Sequence, residues 1–145
     1  MNHLSISEQI ANYLASLAPS KRAEMQLLDQ LIRNSMPGAP LWFLDGLDAK
    51  GKAVANPNIG YGALQLKNKS GMGKDFYQIG LSANTTGISV YIMGLSDKKY
   101  LSNNYAERIG KANVTSYCIK FKSISVIDLA VLEELIQNVS RQTGK

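Results

Sequence analysis

The segment YQIGLSANTTGISVYI, residues 77–92, decides the fold of this chain. Apolar and small or polar side chains alternate on both sides of a central turn sequence, which is the pattern of half-buried β-strands. The turn sequence, Asn84-Thr85-Thr86-Gly87, suits a hairpin because Asn and Gly tolerate the backbone angles of tight turns. The segment therefore predicts two antiparallel strands. Their alternating apolar residues are Tyr77, Ile79 and Leu81 in the first and Ile88, Val90 and Ile92 in the second.

Upstream of this hairpin, residues 59–66 predict a further strand that is interrupted by glycine. Ile59 and Tyr61 have one parity and Leu64 and Leu66 the other, so the apolar face changes at Gly60 and Gly62. Such a change predicts a β-bulge. Residues 37–58 hold three of the four prolines and predict a long loop, in which residues 41–44 form a short strand or an apolar plug.

Helical spacing of apolar residues predicts two helices before the strands and two among or after them. Ser5 and Glu8 have the spacing of a capping box, and Pro19 starts a second helix in an N-terminal helical hairpin. A third helix follows residues 96–97 and ends at Gly110.

The last strand carries Tyr117, Ile119 and Phe121, and Ser125 or Asp128 then opens the final helix. The order of elements is ααβββαβα. Clustered strands of this kind predict one α+β domain over residues 1–145, with a largely antiparallel sheet of about four to five strands.

Composition restricts the location and the partners. The amino terminus lacks the basic start and apolar run of a signal peptide, and no apolar run approaches the ~20 residues of a membrane span. A soluble cytoplasmic protein without a membrane partner is therefore expected. The net charge of +5 comes mostly from scattered lysines without interleaved aromatic residues, which disfavours nucleic acid as a partner.

The residues that usually carry chemistry are few. His3 is the only histidine and precedes the first helix cap, a poor position for a catalytic base. Cys118, the only cysteine, shares the parity of Ser116 and Lys120, and a small side chain packed under a helix is favoured over a reactive thiolate. One Cys, one His and dispersed carboxylates predict no metal site, no cofactor and no enzyme activity.

Residues 67–74, KNKSGMGK, look superficially like a phosphate-binding loop. That motif needs glycine where Asn68 stands and Ser or Thr where Asp75 stands, and a helix must follow. A strand is predicted after Lys74 instead, so the segment is interpreted as a hairpin connection.

Several short motifs, in their order and spacing, resemble the YdhG-like family of bacterial proteins of unknown function. They are Ile59-Gly60-Tyr61-Gly62, Ser70-Gly71 with Gly73-Lys74-Asp75, Gly80-Leu81-Ser82, Val90-Tyr91-Ile92, Ile109-Gly110-Lys111, Cys118-Ile119-Lys120 and Ile127-Asp128-Leu129. The chain departs from the family at Asn84-Thr85, where Arg-Lys is frequent. It departs again in the last strand, where the family often has Cys two residues before Tyr and this chain has Ser116 and Cys118. The broader group includes a frataxin-like iron chaperone, so the resemblance implies iron binding as an alternative function.

The amphipathic rings of Trp42, Tyr61, Tyr77 and Tyr91 are the predicted lining of a pocket beside the long loop. The leading hypothesis is a non-enzymatic domain that binds an unknown small molecule or protein, with a homodimer among the states considered. Iron binding is the first alternative, and an enzyme that uses Cys118 is the second.

Overall fold

The predicted hairpin lies in the middle of the sheet. In the computed structural model, which describes residues 4–67 and 73–143, Ile79–Asn84 (β5) pairs with Gly87–Ile92 (β6) across a turn at Thr85 and Thr86. At the end of the turn, the backbone of Gly87 approaches Phe121 so closely that a Cβ would lie 2.2 Å from the Phe121 carbonyl oxygen. Glycine is therefore required at this position.

Among the described residues, six strands form an antiparallel sheet in the order β1-β2-β5-β6-β8-β7, and β3 and β4 form a separate two-stranded hairpin. The remaining strands are Leu41–Leu44 (β1), Asn58–Tyr61 (β2), Leu64–Lys67 (β3), Gly73–Phe76 (β4), Asn113–Val114 (β7) and Cys118–Phe121 (β8). The α+β class is confirmed. The main sheet has six strands rather than four to five, because residues 41–44 pair with β2 and residues 113–114 with β8.

In the described part of the chain, four helices pack on one face of this sheet. They are Ile6–Ala15 (α1), Pro19–Ser35 (α2), Tyr100–Tyr105 (α3) and Leu129–Thr143 (α4), and a 3-10 turn covers Ile124–Val126. Their apolar stripes and the inward-facing strand residues form a single hydrophobic core. On the hairpin this inner face carries Ile79, Leu81, Ala83, Ile88, Val90 and Ile92.

The helix ends follow local chemistry. Ser5 and Glu8 form the predicted capping box, with the Ser5 hydroxyl accepting from the Glu8 amide at 3.1 Å and the Glu8 carboxylate accepting from the Ser5 amide at 3.0 Å. Of the two predicted starts of the last helix, Asp128 is the cap of α4, because its carboxylate accepts from the amides of Ala130 and Val131. Helix α3 ends at Tyr105, several residues before the predicted stop at Gly110.

Glycine divides the strand predicted over residues 59–66. Gly62 has φ +82°, so β2 ends at Tyr61 and the chain turns into β3 at Leu64. The predicted bulge is therefore a break between two sheets. His3 and residues 68–72 of the lysine- and glycine-rich segment lie outside the described residues, but β3 and β4 on either side of that segment pair antiparallel, as predicted for a hairpin.

Two aromatic residues do not follow the predicted alternation. A bend at Gln78 places its side chain against α4, where its amide donates to the carbonyl of Ser140 at 2.9 Å. Tyr77 consequently lies over the opposite face from Ile79 and Leu81. Tyr117 precedes β8 and is 54% exposed, whereas Ile119 and Phe121 are in the core. Within residues 4–67 and 73–143, no helix is long and apolar enough to cross a bilayer.

Candidate functional site

The outer face of the sheet, opposite the helices, is covered at one end by aromatic rings. Trp42, Gly60, Gly80, Tyr91 and Cys118 are successive cross-strand partners and form one row on this face. A Cβ at Gly60 or Gly80 would lie 2.5 Å or 2.6 Å from the ring of Tyr77, so the two glycines make room for that ring.

The aromatic cover consists of Tyr77, Phe76 and Trp42. The rings of Phe76 and Tyr77 stack with centroids 4.2 Å apart, and the ring of Trp42 meets that of Phe76 edge-on at 6.1 Å. The indole N–H of Trp42 donates to the carbonyl of Gly62 at 2.8 Å. Burial raises the pKa of Tyr77 to about 12, and the charges of Tyr91 and Cys118 add to the effect. Tyr77 is thus a packed, neutral residue at physiological pH.

Beyond the aromatic cover, the same face opens into a depression of about 530 Å³, which we name the open-face cleft. Its floor is made by the outward-facing side chains of β6 and β8. One end is the β5–β6 turn, and the other is the loop between β7 and β8. The lining residues are Asn56, Asn84, Thr85, Thr86, Ser89, Tyr91, Asn113, Thr115, Tyr117, Cys118 and Lys120.

The turn that bounds one end of the cleft is fixed from both sides. The Asn84 carboxamide oxygen accepts from the amide of Thr86 at 3.0 Å, which holds the turn internally. From helix α2, the half-buried Lys21 ammonium donates to the carbonyls of Asn84 at 3.3 Å and Gly87 at 3.1 Å. This end of the cleft is therefore anchored to the helical layer.

Two tyrosines form the opposite end. The rings of Tyr91 and Tyr117 are inclined by 17° with centroids 6.4 Å apart, a stacked arrangement. Tyr117 is presented by a tight turn in which the Thr115 amide donates to the Cys118 carbonyl at 2.8 Å and the Thr115 hydroxyl accepts from the Cys118 amide at 3.0 Å. The turn leaves Tyr117 54% exposed.

The floor of the cleft is polar. Ser89, which is 3% exposed, lies between Ser82 and Lys120 in the cross-strand register, and its hydroxyl is 3.3 Å from the carboxamide nitrogen of Asn84. Lys120 in turn pairs with Asn113 on the short edge strand β7. Polar side chains in such a sheltered surface can orient a bound molecule through hydrogen bonds.

Cys118 lies on the cleft floor, half-buried, on the face away from the helices. The prediction that it packs under a helix is therefore wrong, although its parity with Lys120 is confirmed. Burial raises the pKa of the thiol, while a hydrogen bond to Ser89 and the charge of Lys120 act in the opposite direction. The net shift is opposite to the one that activates a nucleophilic cysteine.

The structure separates the four aromatic residues predicted to line a pocket. Only Tyr91 lines the open-face cleft, and Trp42 and Tyr77 lie beside it in the aromatic cover. Tyr61 is 1% exposed on the inner face, where its hydroxyl donates to the Asp29 carboxylate at 2.6 Å. Burial and the nearby negative charge of Asp29 raise the pKa of Tyr61 well above its usual value.

The sequence contains a pattern that indicates most of the cleft floor. Ser89 and Tyr91 alternate with the buried residues of β6, and Cys118 and Lys120 alternate with those of β8. Because these four side chains all alternate with buried ones, the sequence pattern predicts that they share the outer face of the sheet. The contributions of Asn56 and Tyr117 depend on loop conformations that no local pattern indicates.

Among the described residues, no group of three or more His, Cys, Asp and Glu side chains is placed to hold a metal ion. Comparison of the chain with protein-family models, with curated proteins and with solved structures finds no match in any of the three. The resemblance to the YdhG-like family therefore stays a prediction from short motifs.

Proposed function

We propose that this protein is a non-enzymatic binding domain whose small-molecule ligand occupies the open-face cleft. The observation that carries the proposal is the cleft itself, a depression of about 530 Å³ lined by hydroxyls, amides, a lysine and two stacked tyrosines. This volume lies within the range of roughly 300–1,000 Å³ that is typical of small-molecule sites.

The construction of the site supports binding rather than a structural role. The core lies entirely on the helical face, so the outward side chains of β6 and β8 contribute no apolar packing to it. Rigid strands also position binding groups more accurately than loops do.

The enzyme alternative through Cys118 has less support. Its thiol is half-buried with a raised pKa, and no histidine lies within the described residues to act as its base. For the iron-binding alternative, the residues that the structure describes include no group of three or more His, Cys, Asp or Glu side chains that could hold the metal ion.

The test is a screen of a fragment library by amide-proton NMR on the ¹⁵N-labelled chain. We expect the chemical shift changes of the hits to cluster at Ser89, Tyr91, Cys118 and Lys120. In the variant Asn113→Trp, a bulky ring at the exposed edge of the cleft should abolish these changes. Asn103→Trp, at an exposed position of α3 that does not line the cleft, is the matched control and should retain them.

Hits that map elsewhere on the surface would overturn the proposal. Retention of the same shift changes by Asn113→Trp would overturn it as well, because a filled cleft cannot hold its ligand.

A further inference from the structure

We infer, resting on the proposed function, that the ligand of the open-face cleft is a small molecule that joins a planar ring to a carboxylate or phosphate group. The inference combines the charge of the cleft, the exposed tyrosine ring and the limited length of the floor.

The charge on the described lining of the cleft is positive. Lys120 is the only charged residue among the described residues of the lining, which includes no Asp or Glu. No described carboxylate lies within ion-pairing distance of the Lys120 ammonium. An ammonium in this position favours an anionic partner, and hydrogen bonds between charged groups are about twice as strong as those between neutral groups.

A second positive charge lies behind the β5–β6 turn. The Lys21 ammonium binds the carbonyls of Asn84 and Gly87 from the helical side, so its charge lies next to the turn that bounds the cleft. The two carbonyls accept hydrogen bonds from the Lys21 ammonium but, being uncharged, do not neutralise it. A cation on the helical side of this turn adds to the attraction of Lys120 for an oxyanion.

The opposite end suits an aromatic or otherwise planar group. Tyr117 is 54% exposed, and its ring stacks with Tyr91, which lines the same cleft. Stacking on an aromatic side chain favours a flat partner. The two tyrosines therefore provide a platform on which a ring can rest.

The distance between the two recognition groups limits the size of the ligand. Tyr117 lies three positions before Lys120, and even an extended strand rises by only about 3.3 Å per residue, so their Cα atoms are at most roughly 10 Å apart. A single ring with an acidic group attached directly or through a few bonds spans this distance. The β5–β6 turn and the β7–β8 loop contribute lining residues at the two ends of the cleft, so a ligand of this length fits between them.

The test uses phenyl phosphate and benzoate as probes, with phenol as the neutral ring and inorganic phosphate as the anion without a ring. Dissociation constants come from amide-proton shifts at Ser89 and Cys118. We expect phenyl phosphate and benzoate to bind at least about tenfold more tightly than phenol, the difference that one charge-assisted hydrogen bond supplies. Inorganic phosphate should bind more weakly than phenyl phosphate, because it cannot stack on Tyr117.

Variants assign the two contributions. Lys120→Met should weaken phenyl phosphate about tenfold and leave phenol unchanged, and Lys120→Arg should retain most of the affinity. Tyr117→Ser should weaken phenol and phenyl phosphate alike. The exposed Lys98 lies outside the lining, so Lys98→Met is the charge-matched control and should change neither.

Phenol binding as tightly as phenyl phosphate, or an unchanged affinity in Lys120→Met, would overturn the inference while leaving a cleft that binds neutral molecules. An oligothymidylate that binds more tightly than thymidine monophosphate would also overturn it, since a polymer would then be the ligand. The absence of any fragment at the cleft in the library screen would instead overturn the proposed function.

Discussion

The ring of Tyr77 occupies the space on the outer face of the sheet that a side chain at Gly80 would need. A Cβ at Gly80 would lie 2.6 Å from Cε1 of Tyr77, far inside van der Waals contact. Gly60 faces the same ring from the neighbouring strand. The Tyr77 ring is thus as much a part of the packing of this sheet as the inner-face core.

This contact predicts a strong coupling between the two positions. Gly80→Ala should lower the free energy of unfolding by about 1–3 kcal/mol, because the added methyl displaces a packed ring. In a Tyr77→Ala background the same substitution should cost much less, since the ring is gone. Urea denaturation of the four chains of the cycle gives the coupling. Equal costs in both backgrounds would contradict the packing described.

The raised pKa of Tyr77 predicts a loss of stability at alkaline pH. Between pH 10 and about 12, the unfolded chain releases the Tyr77 proton while the folded chain retains it, so the free energy of unfolding falls as the pH rises. At the upper limit the loss is roughly 2 kcal/mol. Tyr77→Phe keeps the ring and should remove this part of the decline in denaturation measurements at stepped pH. If the free energy of unfolding of Tyr77→Phe falls as steeply with pH as that of the unmodified chain, this prediction is wrong.

Cys118 should react slowly with alkylating reagents. Burial raises its pKa, so the thiolate fraction at pH 7 is smaller than that of a free cysteine. We expect iodoacetamide, followed by mass spectrometry, to label the chain with a pH midpoint above that of free cysteine. Cys118→Ser removes the only thiol and is the blank. Faster labelling than free cysteine at pH 7 would favour the enzyme hypothesis over a binding domain.

Tyr61 should affect stability and leave the cleft unchanged. Its hydroxyl donates to Asp29, which also pairs with Arg33 at 3.1 Å. Tyr61→Phe removes one hydrogen bond to a charged acceptor and should cost about 1.5–3 kcal/mol of unfolding free energy. Because Tyr61 lies on the inner face, the affinity for phenyl phosphate should be unchanged, as measured by the NMR titration above. If a stably folded Tyr61→Phe chain bound phenyl phosphate more weakly, Tyr61 would belong to the ligand-binding pocket, as the sequence predicts.

Local patterns in the sequence predict those elements whose residues alternate or repeat without interruption. The β5–β6 hairpin follows from the sequence because the apolar residues alternate within each strand, Ile79 and Leu81 in the first and Val90 in the second, and all three face the core. Alternation predicts the wrong face for Tyr77, because the bend at Gln78 turns the side chain of Gln78 toward α4 and that of Tyr77 toward the outer face. Nothing in the residues adjacent to Tyr77 indicates that bend.

The site was harder to predict than the fold because its parts come from distant segments. Tyr91 was predicted as a pocket residue and lines the cleft, but Trp42 and Tyr77 fill the space above two glycines instead. Recognising that cover requires the register in which Gly60 faces Gly80, a pairing between strands that is fixed by the whole sheet. Aromatic character alone does not distinguish a packed ring from an exposed one.

The bridge from Lys21 to the β5–β6 turn has a thermodynamic consequence for recognition. A free hairpin turn loses conformational entropy when a ligand fixes it, and this loss is subtracted from the affinity. Here the ammonium of Lys21 already holds Asn84 and Gly87 in the unliganded chain. The entropy of that turn is lost during folding, so one wall of the cleft is preorganised before any ligand arrives.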